Sequence, residues 1–393
     1  MTTLVASSAE GFFEKNDDQE IGSTFDPAAI GLSFSGGGYR ATLFHAGALV
    51  RLNELGLMKR ARTIASVSGG SITTAVLAMN WRELEFDGDV ATPLSMRINF
   101  IRPILKATAK SIDVRVGFEG LVPFWSGGNR LAAAYDRNVF DGFRLKDIVE
   151  APEFVFCATN LQTGGLFKFR KDKLSDWRTL QSTTHGVKLS EAVAASSAFP
   201  PVLAPVRLDL RGESVKKASG NPRYDDRRLW KRPVLVDGGV YDNLGLEAIW
   251  KHCGVIFSSY AGKNMAATHS NFNIDLMLPV VFRFLESSID WRERVLVNMF
   301  KNELADGLRE RRGAYWSAEH TPAFSPKGGW LPDNLEEVFR TVNDMGTRLK
   351  AFDRKTEMAA MLAGYVMADV RARMFALPDA EPPTGPPEAL RGF

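Results

Sequence analysis

Apolar and polar positions near the start of the chain switch twice from a strand-like to a helix-like period. Residues 30–34 alternate as a short strand does, and after a glycine run the apolar positions from 44 to 55 recur at spacings of four, four and three. Residues 63–67 predict a second strand, and apolar positions from 72 to 79 predict a second helix. Two strand–turn–helix units in succession are typical of a parallel α/β sheet.

Short apolar runs later in the chain extend this pattern. The runs that predict strands are residues 154–158, 166–169, 203–208, 234–236 and 255–257. From about residue 280 the apolar positions have the spacing of helices, and those from 335 to 349 form one stripe. The pattern therefore predicts one α/β domain over residues 29–375, with its C-terminal helices in residues 280–375.

Three stretches depart from this pattern. Residues 1–28 are polar and mixed, which predicts a flexible lead-in. Residues 95–130 crowd aromatic side chains among glycines and prolines, and they predict a loop or cap inserted in the domain. The aromatic cluster at 118–125 is either ordinary core or a surface that contacts a membrane or an acyl chain. Residues 376–393 are rich in proline and predict a disordered tail.

Composition narrows the classes of partner. The net charge is +3, from 49 basic and 46 acidic residues, and no long basic run is present, so nucleic-acid binding is not expected. The two cysteines have neither metal-site nor disulfide spacing. No signal peptide and no apolar run of about 20 residues is visible, which predicts a cytoplasmic protein that reaches membranes only at their surface.

A candidate nucleophile lies between the second predicted strand and its helix. Ser68 stands in a turn of small residues, 66–70, whose sequence differs at one position from the G-x-S-x-G motif of a nucleophile elbow. A sharp bend exposes a serine hydroxyl, and the following helix N-terminus favours negative charge on an attacked carbonyl. Ser66 stands where that elbow has its first glycine. The other interpretation is a serine helix cap with no chemistry.

A glycine run, residues 36–38, also follows a strand and opens a helix. Its backbone N–H groups form either a nucleotide phosphate cradle or an oxyanion hole, and its spacing fits neither standard phosphate-binding glycine motif. With Ser68 as nucleophile the oxyanion hole is favoured. Arg40 then either holds a substrate phosphate or forms a surface salt bridge.

Asp237 is the preferred partner for Ser68. It ends an apolar run and precedes two glycines. In α/β proteins the binding and catalytic sites lie at the carboxyl ends of the strands. The alternative is a helix cap, a role that Asp242 can fill instead. A triad with His252 is less favoured, because that histidine lies within a predicted helix.

Three segments together resemble the patatin-like phospholipase family and follow that family's order. They are residues 36–40, 66–70 and 237–239, and residues 195–201 and 237–243 resemble further family segments. Residues 347–369 resemble the C-terminal helices of bacterial members. The likeness extends from about residue 30 to 370. Two positions depart from the family: Ser66, and Ser35, where plant patatins carry an acidic residue.

The resemblance implies a three-layer α/β/α fold with a mostly parallel central sheet, and hydrolysis of lipid acyl esters without cofactor or metal. The implied site residues are Ser68 as nucleophile, Asp237 as base, Gly36, Gly37 and Gly38 as oxyanion hole, and Arg40 as phosphate contact. The implied partners are a phospholipid or other acyl-ester lipid and, transiently, a membrane surface. Whether an activator is needed stays open. The rival hypotheses are a soluble carboxylesterase or thioesterase, a silent lipid-binding module and a nucleotide-binding protein.

Overall fold

The computed structural model describes residues 25–112, 127–201, 203–218, 224–263, 273–302 and 311–393. The strands are β1 (Asp26–Phe34), β2 (Ala61–Val67), β3 (Phe86–Asp87), β4 (Val90–Ala91), β5 (Glu153–Asn160), β6 (Gly165–Phe169), β7 (Leu174–Asp176), β8 (Leu180–Ser182), β9 (Val206–Arg207), β10 (Val215–Lys217), β11 (Val234–Asp237), β12 (Cys253–Tyr260) and β13 (Arg312–Ser317). The α-helices are α1 (Gly38–Glu54), α2 (Leu57–Arg60), α3 (Gly69–Asn80), α4 (Pro93–Met96), α5 (Arg102–Thr108), α6 (Gly127–Tyr135), α7 (Leu189–Ser197), α8 (Arg227–Lys231), α9 (Gly239–Asp242), α10 (Glu247–Trp250), α11 (Asn273–Lys301), α12 (Leu335–Asp344) and α13 (Arg354–Phe375).

The central sheet is mixed, with a parallel middle. Its strand order is β10-β8-β7-β6-β5-β2-β1-β12-β13, and β11 and β9 branch from β5. Five neighbouring strands in the middle of the sheet, in the order β5-β2-β1-β12-β13, pair in parallel. The strands β6, β7, β8 and β10 extend the sheet beyond β5 with antiparallel pairs. The predicted fold class is confirmed: mostly parallel central strands are flanked by helices.

Helices cover both faces of this sheet, which gives three layers. Successive strand residues point to opposite faces, and accordingly Ile64 and Phe257 belong to one hydrophobic core while their neighbours Ala65 and Ile256 belong to a second. The first core lies against α1, α3 and α13, and the second lies against α10 and α11. The central strands are thus buried on both faces, as parallel strands require.

Helix α1 is held in place by α13, against which it packs closely. A Cβ atom on Gly47 would lie 1.7 Å from the carbonyl oxygen of Met361, and one on Gly364 would lie 1.8 Å from that of Phe44. Glycine at both positions lets the two backbones touch. Because α1 begins at the glycine run, this contact fixes the position of the run over the sheet.

The prediction of a loop or cap over residues 95–130 is wrong for its first part. Residues 93–108 form α4, a π-helical turn (Arg97–Ile101) and α5. Phe100, Ile101 and Ile104 are buried in the core. The glycines that suggested a loop begin only at Gly117, after the helix has ended. The aromatic cluster 118–125 lies outside the described residues, so its role stays a prediction.

The predicted disordered tail also differs from the structure. Ala389 and Leu390 are buried, the Trp330 N–H donates to the carbonyl of Pro383 at 2.8 Å, and the Arg51 guanidinium donates to the carbonyl of Glu381 at 2.7 Å. Tertiary contacts therefore hold a proline-rich segment that has no regular period of its own. No described helix combines the length and the apolar composition that a bilayer crossing requires.

Candidate active site

Ser68 occupies a strained turn between β2 and α3. Its φ is 51° and its ψ is −117°, and in the described ranges only two other non-glycine residues have positive φ. Although Ser68 is the N-cap residue of α3, its side chain makes no capping hydrogen bond. The interpretation of Ser68 as a plain helix cap therefore fails. Strain of this kind concentrates at functional sites and agrees with a nucleophile elbow.

The residues around Ser68 explain how the chain makes this turn. A Cβ atom on Gly69 would lie 2.1 Å from the carbonyl oxygen of Gly38, so the start of α3 can pack on the glycine run only with glycine there. Ser66 is not among the positive-φ residues, so serine at that position carries no conformational cost. Its Oγ accepts hydrogen bonds from Ser71 at 3.0 Å and from Thr74 at 2.7 Å.

Sequence reasoning missed Ser196, whose hydroxyl holds the backbone of the turn at Ser68 by a hydrogen bond. The Ser68 N–H donates to its Oγ at 2.9 Å, and that hydroxyl donates in turn to the carbonyl of Cys157 at 2.6 Å. The Ser71 hydroxyl lies 2.8 Å away on another side. Ser196 belongs to the family-like segment 195–201, which was the available signal, but nothing in that segment distinguished it from its neighbour Ser197.

Sheet pairing brings Asp237 to Ser68. Val67 pairs with Cys157 on β5, and Asp237 pairs with the next β5 residue, Ala158. The two side chains interact: the Ser68 hydroxyl and the Gly239 N–H both hydrogen-bond to the Asp237 carboxylate, the latter at 2.7 Å. Two residues that are 169 positions apart in the chain thus share one site.

Burial makes Asp237 an unusually strong base for a carboxylate. The side chain is enclosed, and this desolvation raises its pKa from 3.8 to about 7, although the hydrogen bonds from Gly239 and Ser68 act in the opposite direction. The capping role that was left open belongs to Asp242, whose carboxylate accepts the N–H groups of Leu244 at 3.1 Å and Glu247 at 2.9 Å.

Of the three glycines in the run, only Gly37 and Gly38 line the cavity that contains Ser68. The Gly36 N–H donates to Asn243, at 3.3 Å to its backbone oxygen and 3.1 Å to Oδ1, and is therefore occupied. Gly37 and Gly38, with φ of 138° and 58°, line the same cavity as Ser68. Within the described part of the chain neither of their N–H groups has a hydrogen-bond acceptor. The expectation for Gly36 is corrected, and Asn243 is a second residue that sequence reasoning missed.

Arg40 does not contact the cavity, contrary to the expectation of a phosphate contact. It is fully buried, and its Nε donates to the carbonyl of Val342 at 3.0 Å while Nη1 donates to those of Ala261 and Gly262 at 2.8 and 2.5 Å. Burial lowers its pKa to about 10. The first turn of α1 points this side chain inward, where it fastens the glycine run to the chain segment after β12.

No histidine lines the cavity within the described ranges. His45 is buried, with Nδ1 2.9 Å from the Ser259 hydroxyl and Nε2 3.0 Å from the carbonyl oxygen of Ser35, and burial lowers its pKa to about 3. His252 lies in the turn between α10 and β12 and is not among the residues that line the cavity. A Ser–Asp–His arrangement therefore has no support in the described residues.

Ser68 and Asp237 open into a cavity of about 520 Å³. Most of its wall is apolar, and this wall includes Phe199, Leu203, Phe282, Leu285, Ile289 and Leu349. An apolar cavity with a few convergent polar groups is the usual form of a binding site for an organic ligand. Its lining is suited to a hydrocarbon chain, and the Ser68 side chain lies at the same cavity.

The structure is a three-layer α/β protein that places a strained serine and a buried aspartate at one cavity. Residues 32–250 match the family described as patatin-like phospholipase, and this is more than half of the chain. The chain belongs to the patatin-like phospholipase family, whose members are lipid hydrolases. No curated protein sequence matches it.

Solved structures to which the chain is similar include human GIVD cytosolic phospholipase A2, at 12% identity and a TM-score of 0.48, with the match covering 88% of this chain and 61% of that one. The same human protein in complex with methyl gamma-linolenyl fluorophosphonate has 13% identity and a TM-score of 0.49, and the match covers 88% of this chain and 58% of that one. VipD from Legionella pneumophila has 12% identity and a TM-score of 0.35, and the match covers 88% of this chain and 66% of that one. The chain thus spans about three fifths of the cytosolic phospholipase chains.

Proposed function

We propose that the chain is a serine-dependent lipid acyl hydrolase of the phospholipase A type, with Ser68 and Asp237 as its catalytic dyad. The observation that carries this proposal is the interaction of the Ser68 hydroxyl with a buried carboxylate whose pKa is raised to about 7, at the end of an apolar cavity. A base with a pKa near the working pH is the most effective proton acceptor.

The proposed reaction has two steps. Asp237 accepts the Ser68 proton while Oγ attacks the ester carbonyl, and the N–H groups of Gly37 and Gly38 hold the oxyanion that forms. The protonated Asp237 then donates to the departing alcohol oxygen, which leaves an acyl-Ser68 intermediate. Water, deprotonated by Asp237, attacks this second ester and releases the fatty acid and the free serine.

Gly37→Ala is expected to lower kcat about 10²- to 10³-fold and to change KM little, because the oxyanion exists only after attack begins. At φ 138° the new Cβ would lie 2.5 Å from the carbonyl oxygen of Ala261 and displace the loop. Gly88→Ala is the matched control, since Gly88 also has positive φ but has no atom within 4 Å of an added Cβ. A folded Gly37→Ala protein as active as Gly88→Ala would exclude the glycine run from catalysis.

Mass spectrometry of lipid products tests the function itself. Wild type would be incubated with a phospholipid, a neutral glyceride and a short-chain p-nitrophenyl ester, with Ser68→Ala as baseline. We expect free fatty acid and lysophospholipid from the phospholipid. Turnover of the short ester alone would favour the carboxylesterase alternative, and no turnover with any ester, together with no fluorophosphonate labelling, would favour a silent lipid-binding module.

Helix α11 supports the further proposal that the enzyme works at a membrane surface. Phe282, Leu285 and Ile289 on one side of this helix line the cavity. Val280, Phe284 and Trp291 lie on the opposite side at helical spacing, and all three are exposed. Apolar side chains exposed next to a lipid cavity are typical of interfacial contact.

Phe284→Asp combined with Trp291→Asp is expected to reduce co-sedimentation with phospholipid vesicles at least about tenfold, because two charges would have to enter the interface. Phe324→Asp is the matched control: Phe324 is also an exposed phenylalanine but lies outside α11. Equal vesicle binding by the double variant and the control would remove α11 as the contact. Hydrolysis of dissolved monomeric ester should be similar in all three proteins.

A further inference from the structure

Two cations share the cavity with the nucleophile and have no role in the reaction described above. Arg348 and Lys263 both line it, and both side chains are exposed. The Arg348 guanidinium makes no hydrogen bond or ion pair with any described residue. The Lys263 ammonium donates to the carbonyl of Asn343 at 2.5 Å and retains two further N–H donors.

The backbone holds both cations beside the oxyanion donors. The Tyr39 N–H donates to the carbonyl of Arg348 at 3.0 Å, and a Cβ atom on Gly38 would lie 2.5 Å from that same oxygen. Lys263 follows closely on Ala261, whose carbonyl lies equally close to Gly37. The two chain segments that carry the cations therefore pack directly on the two glycines that face Ser68.

The carboxylates of the cavity do not neutralise these cations. Apart from the catalytic Asp237, the acidic side chain in the described lining is Glu286, which forms an ion pair with Arg283 at 2.5 Å. One end of the cavity is thus positive while most of the wall is apolar. A guanidinium presents paired N–H donors that match two oxygens of a phosphate, and an ammonium adds a point charge.

We propose that Arg348, assisted by Lys263, binds the phosphate of the substrate headgroup and so selects phospholipids over phosphate-free lipid esters. This inference rests on the proposed acyl hydrolysis and names its substrate class. A glycerophospholipid carries its phosphate a few bonds from the ester carbonyl, which matches a cation anchored next to the oxyanion donors. Arg40, the arginine expected in this role, is turned into the core.

The test compares two substrates on three proteins. Wild type, Arg348→Met and Lys350→Met are assayed on a phosphatidylcholine and on the diacylglycerol of the same acyl chains, both in the same neutral detergent micelles. Arg348→Met is expected to lower the ratio of kcat/KM for phospholipid to kcat/KM for diacylglycerol at least about tenfold, the usual effect of removing a charged hydrogen bond. Lys350, exposed and outside the cavity lining, controls for the loss of one positive charge.

The outcomes separate the two proposals. If wild type hydrolyses neither lipid, the proposed function fails. If it hydrolyses both and Arg348→Met leaves their ratio as in Lys350→Met, acyl hydrolysis stands and the phosphate site is wrong. Arg348→Lys, which keeps the charge but loses the paired donors, is expected to recover part of the phospholipid preference, whereas a change in the ratio caused only by misfolding would not be recovered.

Discussion

Ser68→Ala is expected to reduce ester hydrolysis by about 10⁴-fold or more while the protein remains folded. Removing a serine nucleophile leaves only the contributions of the oxyanion donors and of binding. Alanine fits the space of the side chain and removes only the hydroxyl that interacts with Asp237. Fluorophosphonate labelling should disappear together with the activity, because the same oxygen attacks the probe.

Ser197→Ala is the matched control for this experiment. Ser197 lines the same cavity, but its hydroxyl donates to the carbonyl of Val193 at 2.7 Å and lies 3.1 Å from the Tyr135 hydroxyl, with no base beside it. We expect this variant to keep most of its activity and to label normally. Labelled peptide mapping that found the probe on Ser197, or full activity in Ser68→Ala, would contradict the dyad.

The elements that carry the site could be predicted because each has a strong local pattern. The strand–glycine–helix sequence recurs at residues 30–55 and 63–79, and the structure has β1 with α1 and β2 with α3 at those places. Short strands with no such pattern were missed, among them β7 and β8, each three residues long. Such strands form because β7 pairs with its sequence neighbours β6 and β8, and β8 also pairs with the distant β10.

The side-chain environments of the site depend on tertiary contacts and could not be predicted. Position in sequence places Arg40 near the glycine run, but only the packing of α12 and of the segment after β12 shows that its guanidinium faces inward. Likewise, Gly36 resembles Gly37 and Gly38 in sequence, and only the position of Asn243 shows that its N–H is occupied. Arg348 lies in the segment 347–369, whose likeness to C-terminal helices of bacterial family members assigned no role to this arginine.

Asp237→Asn is expected to abolish hydrolysis and at the same time to stabilise the protein above pH 7. The pKa of this carboxyl rises from 3.8 to about 7 on folding, so the folded state binds the proton more tightly than the unfolded chain. The cost to stability is absent below pH 3.8, grows as pH rises toward 7 and is complete above it. It amounts to about 4 kcal/mol at most.

Thermal unfolding of wild type and Asp237→Asn at pH 5 and pH 8 measures this effect. The variant should gain several degrees at pH 8 and clearly less at pH 5, since asparagine is neutral at both and can still accept the Gly239 N–H. Asp242→Asn is the control: that carboxylate accepts two backbone N–H groups and lies 3.4 Å from the Arg292 guanidinium, so its loss should lower stability. A lower unfolding midpoint for Asp237→Asn at pH 8 would contradict the buried-charge argument.

The same pKa sets the pH dependence of wild-type activity. Asp237 must be ionised to accept the Ser68 proton, so kcat/KM should rise with pH and level off above about 7. If the rise of kcat/KM with pH is caused by ionisation of Asp237, activity should level off at the same pH at which the stability gain of Asp237→Asn becomes complete. One ionisation governs both quantities. An activity limb centred near pH 4, the ordinary range of an aspartate, would show that burial does not tune this base.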